Sequence, residues 1–281
     1  MFISLWTTRL VLNALGASDY GIYTIVGGSI ALLGFLNATM TTVTQRFMNY
    51  YHGSANLDKC KEVFNVSIIL HFYIALLLIL ILLIAGFFFF HGILNIPSEK
   101  HHTAVVIYLS LVVSTAFTAA SVPYDATLNA HENMRYYAII GIIDSFLKLC
   151  IAFSIVNFFS DKLIAYGVLM ACVPILSLTI MRLYCHRYYN ECVFVPSRYF
   201  NKQLMKEMSA FAGWRFLSTF SSFFTQYGLG IILNHFYGTL LNAAQGIANQ
   251  LSALLMNFCN SMLKALSPII TKKKGQESIN G

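Results

Sequence analysis

Arg9, Asp144, Lys148 and Arg215 each stand inside a run of apolar residues, where an ionised side chain costs several kcal/mol and marks a site where something functional happens. The first chemistry that suits them is the holding of an anion. Arginine keeps its charge when buried, and its guanidinium grips phosphate oxygens through two N–H groups. Arg9 and Arg215 facing one cavity suit a pyrophosphate, with Arg46 and Lys264 as further cations near the ends of their runs. Asp144 and Lys148 are spaced i, i+4 with the acid on the N-terminal side. They read either as a neutralised structural pair or as a polar, proton-linked cavity lining. Asn234, Asn242 and Gln245 add amides that could line the same cavity or hydrogen-bond between helices. Plainer readings stay open: Arg9 and Arg215 can snorkel to an interface, and Arg46 and Lys264 can anchor helix ends.

The elements that would position these groups follow from composition. The chain has 281 residues, 57% apolar and 10% charged, against about 45–50% and about 25% in ordinary globular domains. That balance excludes a water-soluble domain, a disordered chain and a disulfide scaffold, and it points to an integral membrane protein. A helix needs about 20 apolar residues to cross a hydrocarbon core of about 30 Å. Uncharged windows of that size cover residues 21–45, 63–98, 103–124, 163–181 and 238–263. Windows 136–160 and 208–237 carry only Asp144 with Lys148, and Arg215. With a short piece before Gly16, the pattern predicts an all-α polytopic membrane bundle of about eight helices. Pro123 and Pro174 fall inside windows and should kink them. Asp125, after Pro123, reads as a capping or loop residue.

Orientation comes from the basic residues. Twelve of the 18 Lys and Arg fall in the second, fourth and sixth connections and the C-terminal tail, against Lys100 and Lys162 on the other side. The positive-inside rule makes the first group, and both termini, cytoplasmic. A weak internal repeat relates L-V-L-N at residues 10–13 to I-I-L-N at 231–234, and Gly16 to Gly238. Six-helix parallel repeats are a common transporter plan. The repeat divides the chain into a six-helix N-terminal lobe (1–190), a cytoplasmic connector (191–207) and a partial C-terminal lobe of two helices and a basic tail (208–281). By the same reading the chain is a fragment, clipped slightly at the front and by about four helices at the back.

Catalytic signals are sparse. There is no G-x-x-x-x-G-K-[ST], and His131-Glu132 lacks the second histidine of H-E-x-x-H. No two of the six cysteines form C-x-x-C, and no Cys/His set has zinc spacing. The reading is therefore a non-enzyme without cofactor or metal. The bases lie between apolar runs rather than on a soluble basic face, which argues against nucleic acid.

An ordered series of short stretches is familiar. R-L-V-L-N-A-L-G-A-S-D-Y-G-I-Y (9–23) resembles the first-to-second helix turn of polysaccharide biosynthesis flippases, and T-Q-R-F (44–47) the end of their second helix. V-P-Y-D-A (122–126), A-H-E-N-M (130–134), F-A-G-W (211–214) and L-N-A-A-Q-G-I-A (241–248) are similar to their later helices. The likeness covers essentially the whole chain and is closest in type to Bacteroidetes O-antigen or capsule exporters. It implies the multidrug/oligosaccharidyl-lipid/polysaccharide exporter superfamily, with two six-helix lobes around a central cavity. Such proteins turn an undecaprenyl-pyrophosphate-linked oligosaccharide from the inner to the outer leaflet of the bacterial inner membrane. Cationic residues on early helices meet the pyrophosphate, as Arg9 and Arg215 would here. Membrane lipids and the polysaccharide assembly machinery are the partners it implies. A multidrug exporter, a membrane enzyme of polysaccharide assembly and a membrane scaffold are the rival readings; the first would favour an acidic cavity, the second a long outer loop.

Overall fold

Inside a bilayer core the backbone finds no water, so each segment must satisfy its N–H and C=O groups along its own axis. The computed structural model describes residues 2–31, 34–93, 97–158 and 161–221 and isolated positions between 252 and 273. In chain order these form α1 (Phe2–Ala31), α2 (Gly34–Gly53), α3 (Leu57–Phe88) with a π turn (Phe89–Ile93), and a 3-10 turn (Ser98–Lys100). Then come α4 (His101–Ala130), α5 (Met134–Phe158), α6 (Lys162–Tyr188), the short α7 (Pro196–Tyr199), and α8 over residues 202–221. No strand occurs among the described residues. Four of their helices are long and apolar enough to cross a membrane: Leu57–His91, His101–Ala130, Met134–Asn157 and Lys162–Tyr188. The molecule is an all-α helical bundle of the polytopic membrane kind.

Short polar side chains start the helices. Asn56 accepts from the Lys59 N–H (3.0 Å), Asn133 from Tyr136 (3.1 Å), Asp161 from Ile164 (3.2 Å) and Asn201 from Leu204 (3.1 Å). Each satisfies one of the orphan donors at an N-terminus. The break expected at Gly16 is present as φ +79°, ψ 166° within α1, a backbone region nearly reserved for glycine. Two expectations are corrected. The second helix does not end at Arg46 but continues to Gly53, because Met48 is buried in the core and Asn49 donates to Asn129 of α4 (3.1 Å). Asp125 is neither cap nor loop: α4 passes through Pro123 and runs on to Ala130, holding Asp125 within the helix.

The centre of the bundle is α4, which packs against α1, α2, α3 and α6. Glycines let it approach closely. A Cβ added at Gly167 of α6 would lie 2.7 Å from Ile107, and one at Gly86 of α3 would lie 2.5 Å from Tyr108. The outward face of α3 carries Phe72, Tyr73, Leu76, Leu80, Leu83 and Phe87, all exposed, as a lipid-facing surface requires. Connections alternate between the two ends. At one end Lys100 pairs with Asp19 (3.0 Å) beside Asp161 and Lys162, joining the first, third and fifth connections. At the other, His52, His131 and Glu191 meet, joining the second, fourth and sixth. This is the up-and-down arrangement that the asymmetry of basic residues requires.

Candidate functional site

Four helices leave a cleft between them, lined by polar side chains together with the apolar Val122, Ile140 and Met181. On α4, Thr118, Ser121 and Asp125 fall at i, i+3 and i+7, and on α5, Tyr137, Gly141 and Asp144 fall at i, i+4 and i+7. Those spacings put each set on one helix face. The two faces meet Thr41 of α2 and Pro174 and Ser177 of α6 around a cleft of about 320 Å³. Gly141 and Pro174 contribute little side-chain bulk to it.

Two carboxylates enter this space, each held by a neighbouring helix. Asp125 accepts from Gln45 Nε2 of α2 (3.1 Å). Asp144 accepts a short hydrogen bond from Ser177 Oγ of α6, whose hydroxyl also lies 3.1 Å from the Val173 carbonyl. Asp144 is ten residues into α5, about 15 Å from its start. Asp125 is five residues from the end of α4, about 8 Å in. Among the described residues no ion pair joins Asp144 to Lys148, and Lys148 is exposed. The acid has turned to α6 rather than to the base one turn along its own helix. The arrangement can offer anionic oxygens, hydroxyls and a phenol to sugar hydroxyls or to a cation.

The cations stand elsewhere. Arg46 is exposed, and its guanidinium lies 4.2 Å from the centre of the Phe211 ring of α8, a cation–π contact. Tyr50, Tyr51 and Thr271 complete a crevice of about 220 Å³ around them. Arg215 follows Phe211 by one turn and is exposed, while Thr39 Oγ1 of α2 and Thr219 Oγ1 lie 3.4 Å apart two turns along. Thus α2 and α8 touch at two points, Arg46 on Phe211 and Thr39 on Thr219. Arg9 is exposed on α1, whose Val11 packs with Ala152, Ile155 and Tyr166 of α5 and α6. Lys264, Asn234, Asn242 and Gln245 lie outside the described residues.

Sequence reasoning missed Asp125 as a cleft residue, although the stripe Thr118, Ser121, Asp125 in an apolar helix was a readable signal. It also missed His52, His131 and Glu191, whose ligand atoms lie within 4.8 Å of one another. They come from the last turn of α2, the cap of α4 and the turn after α6, and no spacing could have joined them. Burial opposes ionisation of Glu191, but the hydrogen bond and charge of His131, its own backbone N–H and His52 outweigh it and hold the carboxyl below its ordinary range.

The comparisons with known proteins agree with this architecture. The family model described as polysaccharide biosynthesis protein matches residues 3–274. No curated protein gives a significant match. A multidrug resistance MATE family transporter of the MOP superfamily, solved outward-facing, superposes with a TM-score of 0.82 at 13% identity over 99% of this chain and 62% of that one. A MOP superfamily transporter from Pyrococcus furiosus, described by the reverse polarity of its binding pocket, gives 0.72 at 12% over 99% and 63%. MATE in complex with MaD3S gives 0.77 at 14% over 100% and 65%. At such identities the likeness is one of fold, and the chain spans less than two thirds of each of these structures. With the family model covering nearly every helix of a multi-pass bundle, the chain belongs to the polysaccharide biosynthesis protein family.

Proposed function

We propose that this chain belongs to a transporter that carries an undecaprenyl-pyrophosphate-linked oligosaccharide from the inner to the outer leaflet of the bacterial inner membrane. The observation that carries the reading is the cleft between α2, α4, α5 and α6, which holds two carboxylates inside a bundle whose outer face is apolar. A flipped head group needs a polar path across oil and an apolar exit for its tail. Carboxylates, hydroxyls and Tyr137 suit sugar hydroxyls, and the exposed Arg9, Arg46 and Arg215 suit the pyrophosphate. By residue type, Lys264 is a further candidate for the anion, and Asn234, Asn242, Gln245 and Lys148 are further candidates for polar contact. Asp144 is the group through which a driving proton or cation would act. Rocking one half of the bundle against the other would alternate access. Both termini and the basic connections face the cytoplasm, where the polysaccharide assembly machinery delivers its product.

A second reading is favoured by one feature: the two acids in the cleft, Asp125 and Asp144, would also suit small organic cations, as in a multidrug exporter. The experiment is expression in two bacterial strains, one lacking its oligosaccharide flippase and one lacking its drug exporters, with the chain at its full natural length. Restored surface glycan, lost in Asp144→Asn with membrane insertion intact and kept in Lys148→Gln, supports the flippase. Restored drug tolerance without glycan overturns it in favour of the second reading.

A further inference from the structure

We infer that His52, His131 and Glu191 form a binding site for a single divalent transition-metal ion of the zinc type, which ties together the ends of α2, α4 and α6 on one side of the bundle. The donor set is two imidazoles and one carboxylate, contributed by the last turn of α2, the cap of α4 and the turn after α6. Their ligand atoms all lie within 4.8 Å of one another. In a tetrahedral zinc site with bonds of about 2.0–2.2 Å, donors stand about 3.3 Å apart, so small side-chain rotations close this set around an ion.

A simple ion pair explains less. His131 Nε2 already contacts Glu191 Oε1, and one imidazole is all that such a pair needs. Yet the His52 ring packs edge-on against His131, with centroids 4.4 Å apart, inside the same sphere of donors. Two imidazoles with a carboxylate are a donor set that zinc sites use. The frame is stiff. Tyr189 stacks on the His131 ring (3.9 Å between centroids, 17° between planes), and Glu191 is only 3% exposed. A cleft of about 360 Å³ beside the cluster, lined by Ala55, Leu57, Tyr188 and Asn190, gives an entry path and room for a water as fourth ligand. Nitrogen donors in the majority select zinc, cobalt or nickel over magnesium and calcium, which prefer oxygen.

The test uses the full chain purified in detergent without a polyhistidine tag and stripped with EDTA. One Zn²⁺ per chain should bind by calorimetry, Mg²⁺ should not, and Co²⁺ should give the intense visible bands of a tetrahedral site. His52→Asn and Glu191→Gln should each weaken Zn²⁺ binding about 100-fold, while His91→Asn and His102→Asn, at exposed histidines elsewhere, leave it unchanged. Should the cluster variants fail to fold, the Co²⁺ spectrum of the wild type decides alone. No stoichiometric binding, an octahedral Co²⁺ spectrum, or equal binding in folded cluster variants overturns the proposal.

Discussion

Asn65 ties the segment after α6 to the start of α3, and its removal has a calculable local effect. Its side chain is fully buried and spans two elements. Nδ2 donates to the Lys61 carbonyl at 2.9 Å and the Val193 carbonyl at 2.8 Å, and Oδ1 accepts from the Val195 N–H at 2.9 Å. Neutral hydrogen bonds contribute about 0.5–1.5 kcal/mol each, and a buried group left unpaired costs about 1–3 kcal/mol. The Lys61 carbonyl keeps its helical role, and Val193 and Val195 are exposed enough (43% and 36%) for water to replace part of the loss. Asn65→Ala should therefore cost about 2 kcal/mol for release of residues 193–195, or about a 30-fold rise in the open population. Cys192 is buried beside this segment, its Sγ 3.8 Å from Thr127 Oγ1. A maleimide fluorophore in detergent labels this thiol only on opening. Site-resolved mass spectrometry should show Cys192 labelling about 30-fold faster in Asn65→Ala, with the thermal midpoint of the bundle nearly unchanged. Asn65→Asp should be worse than Asn65→Ala, since a carboxylate would face two carbonyl oxygens. Cys192 labelling within twofold of wild type, or a large fall in the thermal midpoint, would refute the local tie.

Two further outcomes follow from single residues. Gly16→Ala places a Cβ in open space but at φ +79°, ψ 166°, so its cost is backbone strain alone, about 1–3 kcal/mol; an unchanged thermal midpoint in detergent would show that Gly16 does not hold that conformation. Because the carboxyl of Glu191 sits below its ordinary range, its stabilisation is present above about pH 5 and lost as pH falls through the lowered native value. In EDTA, the midpoint difference between wild type and Glu191→Gln should therefore shrink on acidification, and a difference constant from pH 7 to about 3 would contradict the assignment.

The bundle was legible because its periodic signals are long: apolar windows of membrane length, glycine at the α1 break, and basic residues in alternate connections. What failed was local. Arg46 was read as a helix end because a charge closed its apolar window. The helix nevertheless continues, as Met48 and Asn49 have partners on neighbouring helices. Asp125 was read as a loop because proline preceded it, but α4 packs on four neighbours that outweigh one lost backbone bond. Asp144 was singled out as a charge inside an apolar run, and it lies in the cleft. Its partner was not readable, because i, i+4 spacing speaks for contacts along one helix, whereas Ser177 lies on another. The cluster of His52, His131 and Glu191 depends wholly on tertiary structure. Arg9, Arg46 and Arg215 were legible as cations in or beside apolar runs, while the contact of Arg46 with Phe211 of α8 was not.

The central claim is that cations on the early helices of each half meet an anionic head group in transit. It is tested most directly by surface glycan in a flippase-deficient strain expressing Arg9→Ala and Arg215→Ala, with membrane insertion checked in parallel. The account predicts full insertion and strongly reduced glycan in each variant. Undiminished glycan in both would contradict it, leaving these arginines as interfacial anchors.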